Sequence, residues 1–300
     1  MKKIFITLAL FVAALSAQAQ LLYKISGKDL KAPSYIVGTY HLAEVAFVDS
    51  IPGIRQALAD CQQVYGELDM SSMANPENIM KMQQAMMLPE GKTLDKLLSA
   101  DEMSRLNAYM NSLLGMDMTN PMVAQQMGRL TPQALSTQFS LLTYMKKHAG
   151  FDPQNPFDGY FQKVAQEQGK GIGGLETLDL QIKVLFHSMS LERQKQLLMC
   201  LVDNQEFMDK LADDVIRAFY SQNLEGLKEA MDRKMGNACD NTPEEDAALI
   251  GNRNADWLTK MPAIMAAHPT FFAVGAGHLP GEKGVLNLLR QAGYTVEGVR

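Results

Sequence analysis

The stretch Thr270-Phe-Phe-Ala-Val-Gly-Ala-Gly-His278-Leu-Pro-Gly281 decides how the whole chain is read. Its first residues are aromatic or β-branched and end at glycine, a pattern that predicts a short buried strand. Gly275 and Gly277 permit a tight turn and a close approach of backbone to backbone. His278 then falls at the carboxyl end of a strand, where open α/β sheets place their ligands. The same pattern occurs near the other end, in Ser34-Tyr-Ile-Val-Gly38-Thr-Tyr-His41. The chain has only five histidines. Two Gly-x-x-His turns in the same setting therefore point to two histidines converging on one site.

Between these ends lie two further strand-like runs. Gln63-Val-Tyr-Gly-Glu67-Leu-Asp69 ends in carboxylates, and Lys170-Gly-Ile-Gly-Gly-Leu-Glu176-Thr177 ends in another. The segment Ile51 to Cys61 has helical spacing, with Pro52 suited to a first turn. It completes a β-α-β unit with the strands on either side. If these strands lie parallel, His41, Glu67, Glu176 and His278 gather along one edge. Two neutral imidazoles with one or two carboxylates suit a divalent metal that keeps open positions for water. Such an ion acidifies water and polarises a carbonyl, and a spare carboxylate serves as general base. Arg253, on a helix expected over Glu244 to Met261, is placed to orient a carboxylate or steady an oxyanion.

Each residue also has a plainer role open to it. A histidine after a glycine turn is often only a hydrogen-bonded turn residue. Glu67 and Asp69 can be solvated strand ends, Glu176 can cap the next helix, and Arg253 can hold a buried carboxylate. His148, His187 and His268 read as structural or surface residues. Serine-elbow, His-Glu-x-x-His, phosphate-loop and dinucleotide motifs are all missing from the sequence.

Twelve of the 21 methionines fall between Met70 and Met127, in a run of predicted helices. They read as filler for a helical core or as an adaptable apolar groove for a peptide. With this segment as a helical insertion over about 70–168, the 300 residues and 47% hydrophobic content suffice for a single domain over 20–300. A net charge of −5 argues against nucleic acid as a partner. Lys2-Lys3, the apolar run Ile4 to Leu15 and Ala17-Gln18-Ala19 predict a signal peptide over 1–19 and export, periplasmic or secreted. No later stretch is long and apolar enough to span a membrane. Export permits a disulfide, for which Cys200 and Cys239 are the expected pair, with Cys61 a buried thiol.

Taken together, Ile36-Val-Gly-Thr-Tyr-His41, Glu67, Asp158, Gly174-Leu-Glu176-Thr-Leu-Asp-Leu-Gln181, Arg253-Asn254 and Val274-Gly-Ala-Gly-His278-Leu-Pro-Gly resemble the TraB/GumN family. That family includes Tiki-type metalloproteases and the pheromone-shutdown proteins of conjugative plasmids. The resemblance covers nearly all of the chain after residue 19, in the style of the short bacterial members without a membrane anchor. It implies an α/β (α+β) fold whose central, mostly parallel sheet is of the erythromycin-esterase/ChaN-like type. It implies hydrolysis of a peptide or protein substrate with a divalent metal ion, whether manganese, cobalt or zinc. His41, Glu67 and His278 would hold the ion, with Glu67 alternatively acting as base, and Glu176 and Arg253 would support the site. Two rivals stand beside it: a non-catalytic protein that sequesters a peptide or a haem-like ligand, and a metal-dependent esterase.

Overall fold

The computed structural model describes residues 20–300. The expected signal peptide lies outside the described residues. Among the described residues the fold is mixed α/β, with one six-stranded sheet and fifteen α-helical segments. Its strands are β1 (Leu22–Ser26), β2 (Ser34–Thr39), β3 (Gln63–Gly66), β4 (Gly171–Gly174), β5 (Thr270–Gly275) and β6 (Thr295–Gly298). They are ordered β4-β3-β5-β2-β1-β6. The first four in this order run parallel. The β1 strand is antiparallel to both β2 and β6. Every residue of β2 and five of the six in β5 are buried, as expected for strands covered on both faces.

This order is what builds the site. The carboxyl ends of the parallel strands carry Glu176, Glu67, His278 and His41 in that spatial sequence, on neighbours about 4.8 Å apart. Chain order would not give this arrangement, because β5 inserts between β3 and β2. The two Gly-x-x-His turns are thereby direct neighbours, with Thr39 paired to Gly275. Gly38 has to be glycine for this contact. A Cβ there would come within 2.9 Å of the Ala276 Cβ and 3.0 Å of Leu279.

A first core surrounds the sheet, with Phe157, Phe161, Phe219, Trp257, Phe271 and Phe272 fully buried. A second core lies mostly between helices and includes Leu106, Met110, Leu135, Phe139, Leu178 and Leu198. Met73, Met82, Met86, Met87, Met103, Met118 and Met127 pack against that second core. Most of the methionine-rich segment therefore fills irregular space between helices. Met80, Met116 and Met122 remain exposed.

Two local expectations are corrected. Asp69 is not a bare strand end, since its carboxylate caps the short helix Met70–Met73 by accepting from Ser71 N at 2.9 Å. Pro262 does not end its helix, which runs from Asn252 to Ala267 straight through it. An interior proline costs roughly 3 kcal/mol. Burial of Trp257, Met261 and Met265 along one helical stripe outweighs that cost.

Cys200 and Cys239 form the disulfide, bridging a sequence separation of 39, and Cys61 is a buried free thiol. Burial pushes the Cys61 thiol up to about 12, which keeps it protonated and unreactive. Loop-closure entropy for a bridge of that span corresponds to about 4 kcal/mol. Reduction, or Cys200→Ser with Cys239→Ser, is expected to lower unfolding free energy by up to about that amount. Urea melts with and without reductant would check this, and coincident curves would contradict it.

Candidate active site

Arg253 is the hub of the site. Its Nε donates to Glu176 Oε1 at 2.7 Å, its Nη2 to Glu67 Oε2 at 2.5 Å, and its Nη1 to His278 Nε2 at 3.0 Å and Leu249 O at 3.1 Å. Leu249 belongs to a π-helical turn, Ala247–Gly251, that immediately precedes the Arg253 helix. The Arg253 Nη1 bond satisfies a carbonyl that this irregular turn presents. Four of the five guanidinium N–H groups are thus directed: Nε one, Nη1 two and Nη2 one. Only one N–H remains to meet a developing oxyanion. Arg253 is chiefly the buried cation that holds two carboxylates in place.

Those carboxylates are not equivalent. Glu176 has a side-chain exposure of 0% and also accepts from Trp257 Nε1 at 2.6 Å. Burial pushes its carboxyl above the ordinary value, against the pull of Arg253. It does not cap the next helix, because Thr177 does so through Leu180 N. Burial also works against ionisation of Glu67, yet its carboxyl is held below the ordinary value. Positive charge at His278, Arg253 on Oε2 and the Gly275 N–H on Oε1, at 2.8 Å, together work against desolvation. Gln181 Nε2 adds a third bond to Glu67 at 3.2 Å. Gly275 serves close approach, since a Cβ there would lie 3.1 Å from Glu67 Oε1.

The His278 tautomer follows from its neighbour. Asn254 spends both amide hydrogens on the carbonyls of His278 and Lys283. Its Oδ1 therefore faces the ring and accepts from His278 Nδ1 at 2.6 Å. His278 Nε2 is left bare, accepting from Arg253 and standing 3.9 Å from Glu67 Oε1. Trp257 packs on the ring at 4.4 Å between centroids. Burial, reinforced by the Arg253 charge, lowers the His278 pKa to about 4.

His41 is anchored the same way, with Nδ1 on Asp158 Oδ2, leaving its Nε2 open. The attraction of Asp158 raises its pKa to about 9. The ring is 73% exposed, so water screens this pair and blunts its contribution to stability. His41 also feels the charges of Glu67 and Arg253.

All five expected residues therefore border one sheet edge, four of them in direct contact around Arg253 and His41 to one side. Among the described residues, no three His, Cys, Asp or Glu side chains stand close enough to share an ion. The donors nevertheless fit a divalent cation in type. Each imidazole is fixed through Nδ1, as second-shell partners fix metal-binding histidines, and Glu67 is ionised beside them. Asp158 Oδ1 and Glu176 Oε2 are buried without a hydrogen-bond partner. A metal at His278 would have to compete with Arg253 for the same Nε2 lone pair, and one at His41 would have to displace the Nε2 proton that Asp158 helps to hold on the ring.

The expected list did not include Asp158, Gln181, Asn254 or Trp257 as site residues. The lone tryptophan one helical turn after Arg253 was a usable signal, because residues at i and i+4 share a helix face. His148 stacks on Tyr144, and His268 bonds Gln62. Both are structural, as expected.

The His278 shift gives a pH prediction for the metal-free protein. A histidine whose folded pKa lies below its unfolded value near 6.5 binds more protons when unfolded. Its contribution is full above about pH 6.5 and is lost as pH falls toward about 4. The loss is on the order of 3 kcal/mol. The difference in unfolding free energy between wild type and His278→Asn should shrink across that window, and a difference that stays constant with pH would contradict the assignment.

Sequence comparisons relate the chain to known proteins. The profile of the TraB/PrgY/gumN family matches residues 21–298. Similar curated proteins include the "Metalloprotease TIKI homolog" of Nematostella vectensis, 24% identical over 89% of this chain and 65% of its own length. "Metalloprotease TIKI2" of Danio rerio is 26% identical over 88% of this chain and 58% of its own. "Metalloprotease TIKI1" of Homo sapiens is 24% identical over 88% and 59% respectively. The chain thus spans less than two thirds of the length of these relatives. No solved structure matches it. No helix of the described residues is long and apolar enough to cross a membrane. With the family profile matched over almost the entire described chain, the protein belongs to the TraB/PrgY/gumN family.

Proposed function

We propose that the chain is an exported, divalent-metal-dependent hydrolase, most specifically a peptidase acting on peptide or protein substrates. The observation that carries this reading is the edge of the sheet. Two imidazoles, each fixed through Nδ1 by Asp158 or Asn254, share that edge with an ionised Glu67, and His278 stands between Glu67 and His41. His41, Glu67 and His278 would hold the ion, whether manganese, cobalt or zinc. A divalent ion supplies Lewis acidity, polarising a carbonyl and easing deprotonation of water. Where Glu67 does not itself ligate the ion, it would be the general base that takes this proton. Arg253 and Glu176 position Glu67 and His278, and Trp257 covers the ring of His278. The name metalloprotease carried by the relatives supports the same chemistry, as does the disulfide, which suits an oxidising compartment. A core of the erythromycin-esterase/ChaN-like type, in a single domain over 20–300 with its helical insertion, belongs to the same proposal.

The test is incubation of the purified protein with a proteome-derived peptide library, with manganese, cobalt or zinc and with chelator. Products are read by mass spectrometry. Metal-dependent cleavage that disappears in His41→Ala is the expected result. Hydrolysis of simple esters without peptide cleavage would replace the reading with an esterase. Tight retention of peptide or haem without turnover would replace it with a binding protein.

A further inference from the structure

The two residues that flank His41, Tyr40 and Leu42, line a cavity of about 280 Å³. Its other walls come from the helices Ala100–Leu114, Pro132–Lys147, Leu191–Asp203 and Gln205–Tyr220. Tyr109, Leu201, Met208 and Ile216 give it an apolar and aromatic surface. Ligand pockets usually measure roughly 300–1,000 Å³, so this space lies at the small end of that range and has room for one large side chain.

The charges around the cavity cancel. Lys146 and Lys147 stand beside Asp209 and Asp213. Lys147 is paired with Asp213 at 3.2 Å and Asp209 at 3.7 Å. A charged guest would meet no net field and would lose its hydration. The wall residue Tyr144 keeps a buried hydroxyl with no hydrogen-bond partner, an unspent polar group beside the apolar side chains of the lining.

We propose that this cavity is a substrate subsite that receives one uncharged, large aliphatic or aromatic side chain of a peptide whose backbone passes His41. The inference rests on the peptidase reading and adds a substrate class to it. Seating a side chain between the helices and the 40–42 turn would register the peptide against the sheet edge, which is how a specificity pocket positions a scissile bond.

The test uses decapeptides carrying one diazirine-modified leucine, irradiated with the full chain and mapped by mass spectrometry. Cross-links are expected on Tyr109, Leu201, Met208 or Ile216. Peptides with phenylalanine or tyrosine at that position should compete roughly tenfold better than those with lysine or glutamate. Ala212→Trp should abolish the cross-links. Ala212 lines the cavity but is itself exposed, so the fold should survive, as circular dichroism would verify. Cross-links elsewhere only, or cross-links unchanged in Ala212→Trp, would overturn the subsite, and so would equal competition by charged peptides. Wall cross-links without cleavage under any metal would keep the subsite and remove the peptidase. Cleavage without wall cross-links would do the reverse.

Discussion

Arg253→Leu is expected to lower unfolding free energy by about 3–5 kcal/mol, the usual consequence of removing one partner from a buried ionic group. Both partners are enclosed, with side-chain exposures of 14% for Glu67 and 0% for Glu176. Without the guanidinium, two carboxylates would face each other in a space that disfavours charge. Their folded pKa values would then rise above the unfolded ones. A group shifted that way contributes stability below its unfolded pKa and loses it as pH rises through the folded value. The variant should therefore be least impaired near pH 4 and most impaired above neutrality. Urea melts at several pH values would check this. A deficit that is small, or that does not grow with pH, would mean that Arg253 is not the charge holding the site. Arg253→Lys should recover only part of the loss, because one ammonium cannot repeat four directed bonds.

Glu67→Gln should reduce peptide hydrolysis by roughly 10²–10⁴-fold, the range of a lost general base, while preserving side-chain shape. Glu67 is the one carboxylate in the cluster held below its ordinary range. It touches Arg253, Gly275 and Gln181 and stands 3.9 Å from His278. The amide keeps an acceptor for Gly275 N but cannot take a proton from water. The loss should appear in kcat more than in KM, because an interaction made only in the transition state is removed. A rise in KM with unchanged kcat would assign Glu67 to substrate binding instead. Glu176→Gln is the comparison. Its side chain is fully enclosed, so its effect should fall on stability first.

Much of this site could be read from the sequence because its residues sit at strand ends. Strands announce themselves by apolar runs, and the residue after the run has a defined place at the sheet edge. His41, Glu67, Glu176 and His278 were legible for that reason. Their spatial order was not, because nothing local in the chain says that β5 enters between β3 and β2. The network behind the edge was also hidden. Asn254 and Trp257 depend on how the helix Asn252–Ala267 meets the turns that follow β4 and β5, which is a tertiary fact. Asp158, in the first turn of the helix Phe157–Glu167, reads locally as an ordinary complement to the helix dipole. Pro262 shows the opposite failure, where a strong local signal yields to the burial of its neighbours. The methionine-rich segment was legible in composition but ambiguous in role, and most of it proves to be helical core.

The central claim is that His41 and His278, 237 residues apart in sequence, belong to one metal site with Glu67. Metal content after equilibration with manganese, cobalt or zinc and exhaustive dialysis tests it most directly. Wild type would be compared with a His41→Ala/His278→Ala double variant by elemental mass spectrometry, with circular dichroism as the folding control. Near-stoichiometric metal in wild type and almost none in the folded variant is the result this account predicts. Equal metal in both, or none in either, would contradict it and return the two histidines to hydrogen-bonded turns.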